Sequence, residues 1–320
     1  MVRRELKLTK CIEPWAQIPT PRVDSLKVDA TKGPATAYHR NLLRVYALMM
    51  FPAVVVNAIA TIERTRYDQR LEHRKKLRTG RMSEQAFAKV FKQALDAENN
   101  RREAILKASS PQAKALQRAE IDFGFGTLQD LVSGTDLIHG ADAWLAAQII
   151  GVWTAFEALA EEIWIAAVNA HPRGLAELKG AKKGSGEEKK IDLSVLQRFG
   201  YDLSNNMGTI LSKRFSFDRL EDIRRAYEEA KFDGEQPIQD ILKERSLDVL
   251  SLTRQVIVHN GGLIDESFLR RKADLPPELI VSVGEPLPLN GEIVAALIGP
   301  VMRLGWDLIM ATDQWLLKNA

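Results

Sequence analysis

The sequence contains little of what metal or disulfide chemistry requires. Cysteine occurs once in 320 residues, at Cys11, which excludes a disulfide framework and a cysteine-based zinc site. The five histidines are scattered, with no two of them three or four residues apart, so a histidine-based metal site is not expected. The net charge is only +3, which does not by itself indicate a nucleic-acid-binding protein. We therefore expect no cofactor and no metal ion.

Long uncharged runs are also scarce, and the most apolar stretch is residues 45–62. It has 18 residues and contains Pro52 and Asn57. A membrane span needs about 20 apolar residues, so the length of this run is marginal. We favour a buried or interface helix. A membrane span stays open as an alternative, because three arginines follow the run at once. The basic N-terminus has no apolar core, so no secretory signal is expected and a cytoplasmic location is.

The first 134 residues divide into two parts. Residues 1–37 carry four prolines and little periodicity, which predicts an extended arm anchored by Trp15. Residues 38–134 are predicted to form a helical N-terminal region. The motif Phe123-Gly124-Phe125-Gly126 indicates a loop, and we place a domain boundary near Ser133-Gly134.

Residues 64–120 have a local excess of positive charge, with 15 Lys and Arg against 7 Asp and Glu. Such a stretch is either a solvated helix face or an electrostatic guide for a phosphate backbone. We favour the solvated face, because acidic residues are interleaved with the basic ones.

In the C-terminal half, residues 141–170 have the apolar spacing of a long amphipathic helix. Glu157 falls within its apolar stripe, beside Trp153 and Phe156. A carboxylate among apolar neighbours needs a partner, because burial of an unpaired charge is costly. We expect Arg254 or His259 to be that partner.

The stretch that bears most on function is residues 251–268, which the sequence predicts as a helix end. Apolar residues lead up to Gly261 and Gly262, and these glycines are a stop signal. Arg254 and His259 stand just before it, five residues and about 140° apart around a helix. A permanent cation beside an imidazole suits phosphate chemistry, because the cation holds anionic oxygens and the imidazole exchanges protons near neutral pH. The alternative is that His259 only caps the helix.

Arg254-x4-His259 resembles the Arg-x4–6-His signature of the HEPN superfamily. The helix segment 153–157 and the Gly-Pro segment 283–289 add to the resemblance. It implies that residues 135–320 form an all-α, HEPN-like helical bundle with a short extended excursion. In this family a polar residue, often Asn, follows the arginine, and here that residue is Gln255.

The resemblance implies a metal-independent endoribonuclease that cleaves RNA by 2′-hydroxyl attack. Arg254 and His259 would be catalytic, with Asn260, Glu157 and Gln255 in support. Two such motifs would face each other in a homodimer. Members of the superfamily act as toxins of toxin-antitoxin systems or as antiviral-defence effectors, which implies a regulatory partner protein. Two alternatives are a non-catalytic HEPN-like module for dimerisation or nucleotide binding, and a membrane-associated scaffold.

Overall fold

The computed structural model describes residues 6–16, 23–108, 110–132, 137–172, 193–230, 232, 236–271 and 275–319. Within these ranges all regular secondary structure is helical, which confirms the all-α prediction. The α-helices are α1 (Glu13–Ala16), α2 (Asp29–Arg78), α3 (Glu84–Lys107), α4 (Pro111–Val132), α5 (Ile138–Ala170), α6 (Leu193–Arg198), α7 (Met207–Leu211), α8 (Leu220–Glu229), α9 (Gln236–Leu242), α10 (Arg245–His259), α11 (Glu266–Leu269) and α12 (Gly291–Asn319). Short 3-10 helices are Leu8–Ile12, Val23–Ser25, Ser212–Arg214 and Pro277–Leu279.

The chain divides into two compact units. The first comprises Met1–Thr9 and Ala47–Ala141, and the second comprises Lys10–Tyr46 and Asp142–Ala320. Helix α2 is continuous through 50 residues and contributes to both units. The predicted boundary at Ser133-Gly134 lies outside the described residues.

The first unit holds the C-terminal part of α2 together with α3 and α4. Helix α2 ends before Gly80, whose φ of +69° suits glycine, and α3 begins after Ser83, whose side chain accepts from the amide of Ala86. Asn57 of α2 donates its Nδ2 to the carbonyl of Glu120 in α4 at 2.6 Å. Local signals therefore set the end of α2 and the start of α3, and a hydrogen bond joins α2 to α4.

The predicted loop at residues 123–126 is wrong, because this motif lies inside α4. A Cβ at Gly124 would come within 2.6 Å of Asn57 Nδ2 and 2.7 Å of the carbonyl of Ala53. Glycine is therefore present here because α4 approaches α2 closely, and not because the chain turns.

The core of the second unit is built on α5 and α12. Trp153 and Trp164 of α5 are almost fully buried, and the indole of Trp164 donates to the carbonyl of Ala226 in α8 at 2.9 Å. On α12, Trp306 packs edge-on against Tyr38 of α2 at 5.4 Å between ring centroids. Large aromatic side chains in such contacts supply much of the apolar burial of a core.

The extended arm predicted for residues 1–37 is wrong for residues 8–16 and 29–37, which are helical. Helical turns cover Leu8–Ala16, and α2 already begins at Asp29. Cys11 is fully buried and Trp15 is nearly so. The start of α2 is held by Asp313 of α12, which accepts from the amides of residues 27 and 28 at 3.0 and 2.9 Å. Contacts distant in sequence therefore impose helix on a segment whose prolines favour an extended chain.

The apolar run of residues 45–62 is only partly buried. One side of the helix faces its own unit, through Met49 and Ala53, while Phe51 on the other side is 64% exposed. By length and composition three helices, α2, α5 and α12, could cross a membrane. In α5 and α12, half or more of the most apolar 18-residue segment is buried inside the protein. In α2 only 17% of the corresponding segment is buried.

Candidate functional site

The candidate site begins at the C-terminus of α10, where His259 is the last helical residue. The amides of Asn260 and Gly262 both donate to the carbonyl of Val256 at 3.1 Å. Gly261 and Gly262 have φ values of +61° and +83°, which residues with a side chain rarely adopt. The predicted helix end is therefore confirmed, and the two glycines cause it.

Asn260 is held in place by the residues that follow the glycines. Its Nδ2 donates to Asp265 Oδ2 at 2.6 Å. Asp265 precedes α11 as its N-cap, and it also accepts from the hydroxyl of Ser267 and from the amide of Phe268 in that helix. These hydrogen bonds hold the pKa of the Asp265 carboxyl below its usual range, and the one from Ser267 has the largest effect. The Asn260 side chain is thus fixed beside His259 by a carboxylate that stays ionised.

The Gly-Pro segment before α12 pairs with the chain after α10. The amide of Ile264 donates to the carbonyl of Glu285 at 2.9 Å, and that of Gly284 donates back to Ile264 at 2.8 Å. The amide of Leu287 donates to Gly262 at 2.8 Å. These bonds make a short antiparallel ribbon centred on an isolated bridge between Leu263 and Pro286. Two of the three segments on which the sequence resemblance rests are thus hydrogen-bonded to each other.

The side chain of Arg254 is less exposed to solvent than that of His259. Its side chain is half-buried, and its Nε is buried with no hydrogen-bond partner among the described residues. A buried donor without an acceptor is unfavourable unless a ligand or water satisfies it. The Nε–H of Arg254 is therefore a donor that the described protein groups do not use.

Glu157, the expected partner of Arg254 or His259, is held first by its own helix. The indole Nε1 of Trp153, one turn earlier in α5, donates to Glu157 Oε1. Burial raises the pKa of the Glu157 carboxyl, while the hydrogen bond from Trp153 and the charge of Arg254 partly oppose that rise. The charge of Asp218 adds to the rise. Glu157 and Arg254 thus interact electrostatically, and the closest partner of Glu157 is Trp153.

His259 is exposed, and within the described residues no hydrogen bond or ion pair holds its ring. Five residues separate it from Arg254, which is about 7.5 Å along the helix axis and about 140° around it. The half-buried arginine and the exposed histidine accordingly lie on different sides of α10. Gln255, the next residue after Arg254, is half-buried.

The sequence reasoning missed a charged cluster at the other end of α10. Both terminal nitrogens of the Arg224 guanidinium donate to the carboxylate of Asp248, at 3.0 and 2.9 Å, and Arg271 adds a third contact at 3.3 Å. An acidic residue in the first turn of a helix was the available signal, since it favours the helix N-terminus. The cluster fixes α10 against α8.

Several basic residues of the stretch 64–120 are used inside the first unit. The guanidinium groups of Arg66 and Arg70 lie over the rings of Phe91 and Phe87, at 5.4 and 5.7 Å from the ring centroids. Arg102 forms a two-pronged ion pair with Glu120. These contacts favour a packing role for part of this positive charge.

In the described ranges, no three His, Cys, Asp or Glu side chains group together in a way that could hold a metal ion. No protein-family model, no curated protein and no solved structure matches this chain.

Proposed function

We propose that this protein is a metal-independent endoribonuclease with a HEPN-like site built on Arg254 and His259. The observation that carries the proposal is the buried Nε of Arg254, which has no acceptor among the described residues, five residues before an exposed histidine. A guanidinium with unused donors is suited to the oxygens of a phosphodiester. The resemblance of the motif to HEPN ribonucleases supports the same chemistry.

In the proposed reaction the RNA supplies its own nucleophile. His259 removes the proton from a ribose 2′-hydroxyl, and the 2′-oxygen attacks the adjacent phosphorus. The bond from phosphorus to the 5′-oxygen breaks, and that oxygen takes up a proton. The products are a 2′,3′-cyclic phosphate and a 5′-hydroxyl. Arg254 stabilises the negative charge that grows on the phosphate oxygens.

A second copy completes this site in the proposal. One imidazole cannot be base and acid at the same moment, so the same histidine of a second chain protonates the leaving oxygen. The separation of Arg254 and His259 around α10 also supports a shared site, since one helix does not present both on one face. Asn260, held by Asp265, would orient the imidazole or the RNA, with Gln255 and Glu157 in support.

The proposal includes a biological role. A cytoplasmic effector of a toxin-antitoxin or antiviral system, restrained by a partner protein, agrees with the chemistry and rests on the HEPN resemblance alone.

The test is cleavage of structured RNA by the full chain in EDTA, with the product ends identified. We expect His259→Ala and Arg254→Ala each to lower the rate at least about a hundredfold. His139→Ala, which changes an exposed histidine of α5, is the matched control and should cleave normally. RNA with a 2′-deoxyribose at the cleaved position should resist, as should DNA.

Two results would contradict the proposal. One is cleavage that persists unchanged in His259→Ala, which would indicate another nuclease. The other is no cleavage of any RNA by a folded chain, and RNA or nucleotide binding without cleavage would then favour the non-catalytic module.

A further inference from the structure

The exposed side of α2 carries an apolar surface on the first unit. It consists of Phe51, Val54, Val55 and Ile59, here named the α2 patch, and these side chains are 64%, 51%, 38% and 56% exposed. Phe51, Val55 and Ile59 are spaced four residues apart, so they follow one side of the helix. At these fractions the four side chains present on the order of 400 Å² of apolar surface, which is large for a monomer.

The opposite side of the same turns of α2 is buried inside the protein. Met49 and Ala53 are buried, and Asn57 bonds across to α4. The helix is therefore apolar on both sides, although its own unit covers only one of them. An amphipathic surface helix would have polar residues where the α2 patch lies.

A bilayer does not fit as the occupant of this surface. Asn57 donates to the carbonyl of Glu120, and the side chain of Glu120 is paired with Arg102. This charged pair therefore lies beside the middle of the apolar run. Ionised side chains at mid-membrane depth are costly, and the run of 18 residues is only about 27 Å long.

A second copy of this chain fits better. Two α2 helices crossing antiparallel, with the symmetry axis between Ala53 and Val54, place the α2 patches at the centre of the crossing. The same register brings the exposed Arg44 of one copy opposite the exposed Glu63 of the other, twice per dimer, where Glu63 also pairs with Arg66 of its own helix at 2.7 Å. With flanking residues, the buried area from both copies is on the order of 1,000 Å², which is what a specific interface needs.

We propose that the α2 patch is a homodimer interface in which two α2 helices pack antiparallel. The interface is distinct from Arg254 and His259, which lie in the second unit, and it does not rest on the proposed nuclease.

Sedimentation of the full chain from about 1 to 100 μM tests the proposal, with circular dichroism to check that each variant is folded. We expect the double variant Phe51→Glu with Ile59→Glu to form a smaller assembly than the wild type. It is a monomer instead of a dimer if α2 is the one contact between copies, and a dimer instead of a larger assembly if the Arg254 and His259 sites also pair. Phe123→Glu changes an equally apolar, 51% exposed residue of α4 in the same unit, and it should keep the wild-type assembly.

Charge reversal tests the register. Arg44→Glu should weaken dimerisation about tenfold, because two exposed pairs are lost, and adding Glu63→Arg should restore it. No rescue by the second change would refute the antiparallel register.

Two results would overturn the interface. One is a wild-type monomer at 100 μM, and binding of that monomer to phosphatidylcholine–phosphatidylglycerol vesicles would assign the α2 patch to a lipid surface instead. The other is a folded double variant whose assembly is the same size as that of the wild type. RNA cleavage is read from product ends, so failure of either proposal is recognised separately.

Discussion

Leu287 and Gly262 are joined by a backbone hydrogen bond of 2.8 Å, which ties the segment before α12 to the end of α10. Gly262 can make this turn because its φ is +83°. The geometry next to His259 therefore depends on a residue without a side chain.

Replacement of Gly262 by alanine should lower the free energy of unfolding by about 1–2 kcal/mol, the cost of left-handed backbone for a residue with a Cβ. The space around Gly262 is open, so the penalty is conformational and not steric. Urea unfolding measures it. Gly126→Ala, at an equally open position inside α4, should instead stabilise the fold by about 0.5–1 kcal/mol. Equal effects of the two changes would contradict this account.

The end of α10 could be predicted from sequence because its signals are local. Gly261 and Gly262 follow the last apolar residues directly, and glycine is the residue that ends helices in this way. The partner expected for Glu157 was Arg254 or His259, although its hydrogen bond from Trp153 could have been predicted, since residues four apart on a helix are neighbours.

Other features could not be predicted because they depend on contacts distant in sequence. Residues 8–16 are helical and Cys11 and Trp15 are buried by neighbours that a local pattern does not reveal. Gly124 was mistaken for a turn residue, although its role is to let α4 approach Asn57. The pairing of Leu287 with Gly262 joins residues 25 positions apart, and no spacing rule indicates it.

Asp248 should make stability fall in acid. Burial alone would raise the pKa of its carboxyl, but the hydrogen bonds and charges of Arg224 and Arg271 lower it below the ordinary value. Because the folded-state pKa is lowered, the cluster stabilises the fold above the ordinary value of about 4, and this contribution disappears as the pH falls through the folded-state pKa.

The variant Asp248→Asn should therefore have a free energy of unfolding about 2 kcal/mol lower than that of the wild type at pH 7. The difference should shrink progressively below about pH 4. Urea unfolding at a series of pH values measures the difference. Asp130→Asn, an exposed position in α4, should show little loss. A loss that is the same at pH 7 and pH 3 would mean that the ionised pair is not its source.

Glu157 should show the opposite dependence. Burial raises the pKa of its carboxyl, so the protonated form suits the fold and the ionised form is less favourable. Stability from this group is complete below the ordinary value near 4 and is lost as the pH rises through the raised pKa.

Glu157→Gln should accordingly be more stable than the wild type at pH 8, by up to about 1 kcal/mol, and equal to it near pH 4. Thermal or urea unfolding at both pH values shows the difference. Glu161→Gln, four residues later on α5, is the control. A less stable Glu157→Gln at pH 8 would mean that the attraction to Arg254 outweighs burial.

Asp313 should be among the most sensitive charged residues of the second unit. It is 3% exposed, and besides two backbone amides it accepts from the hydroxyl of Thr31 at 2.7 Å. Asp313→Ala removes the acceptor from all three donors and should cost about 2–3 kcal/mol in unfolding free energy. Gln314→Ala, on the exposed face of the same helix, should change stability little. Comparable losses in both variants would argue against capping.

Cys11 should be unreactive in the folded protein. Burial raises the pKa of its thiol to about 12, so almost no thiolate forms at pH 8. Titration with a chromogenic disulfide reagent should find no reactive thiol under native conditions and one per chain in denaturant. Fast reaction of the native protein would show that the segment around Cys11 opens readily.

The continuity of α2 has a consequence for dissecting the protein. Tyr38 packs on Trp306, and Thr31 bonds Asp313, so the first part of α2 belongs to the hydrophobic interior that α12 completes. A truncated gene that begins at residue 135 would leave that interior open to water. Such a fragment should be rescued by a separate peptide covering residues 10–46, as in fragment complementation, and the unit that holds Arg254 and His259 is then discontinuous along the chain.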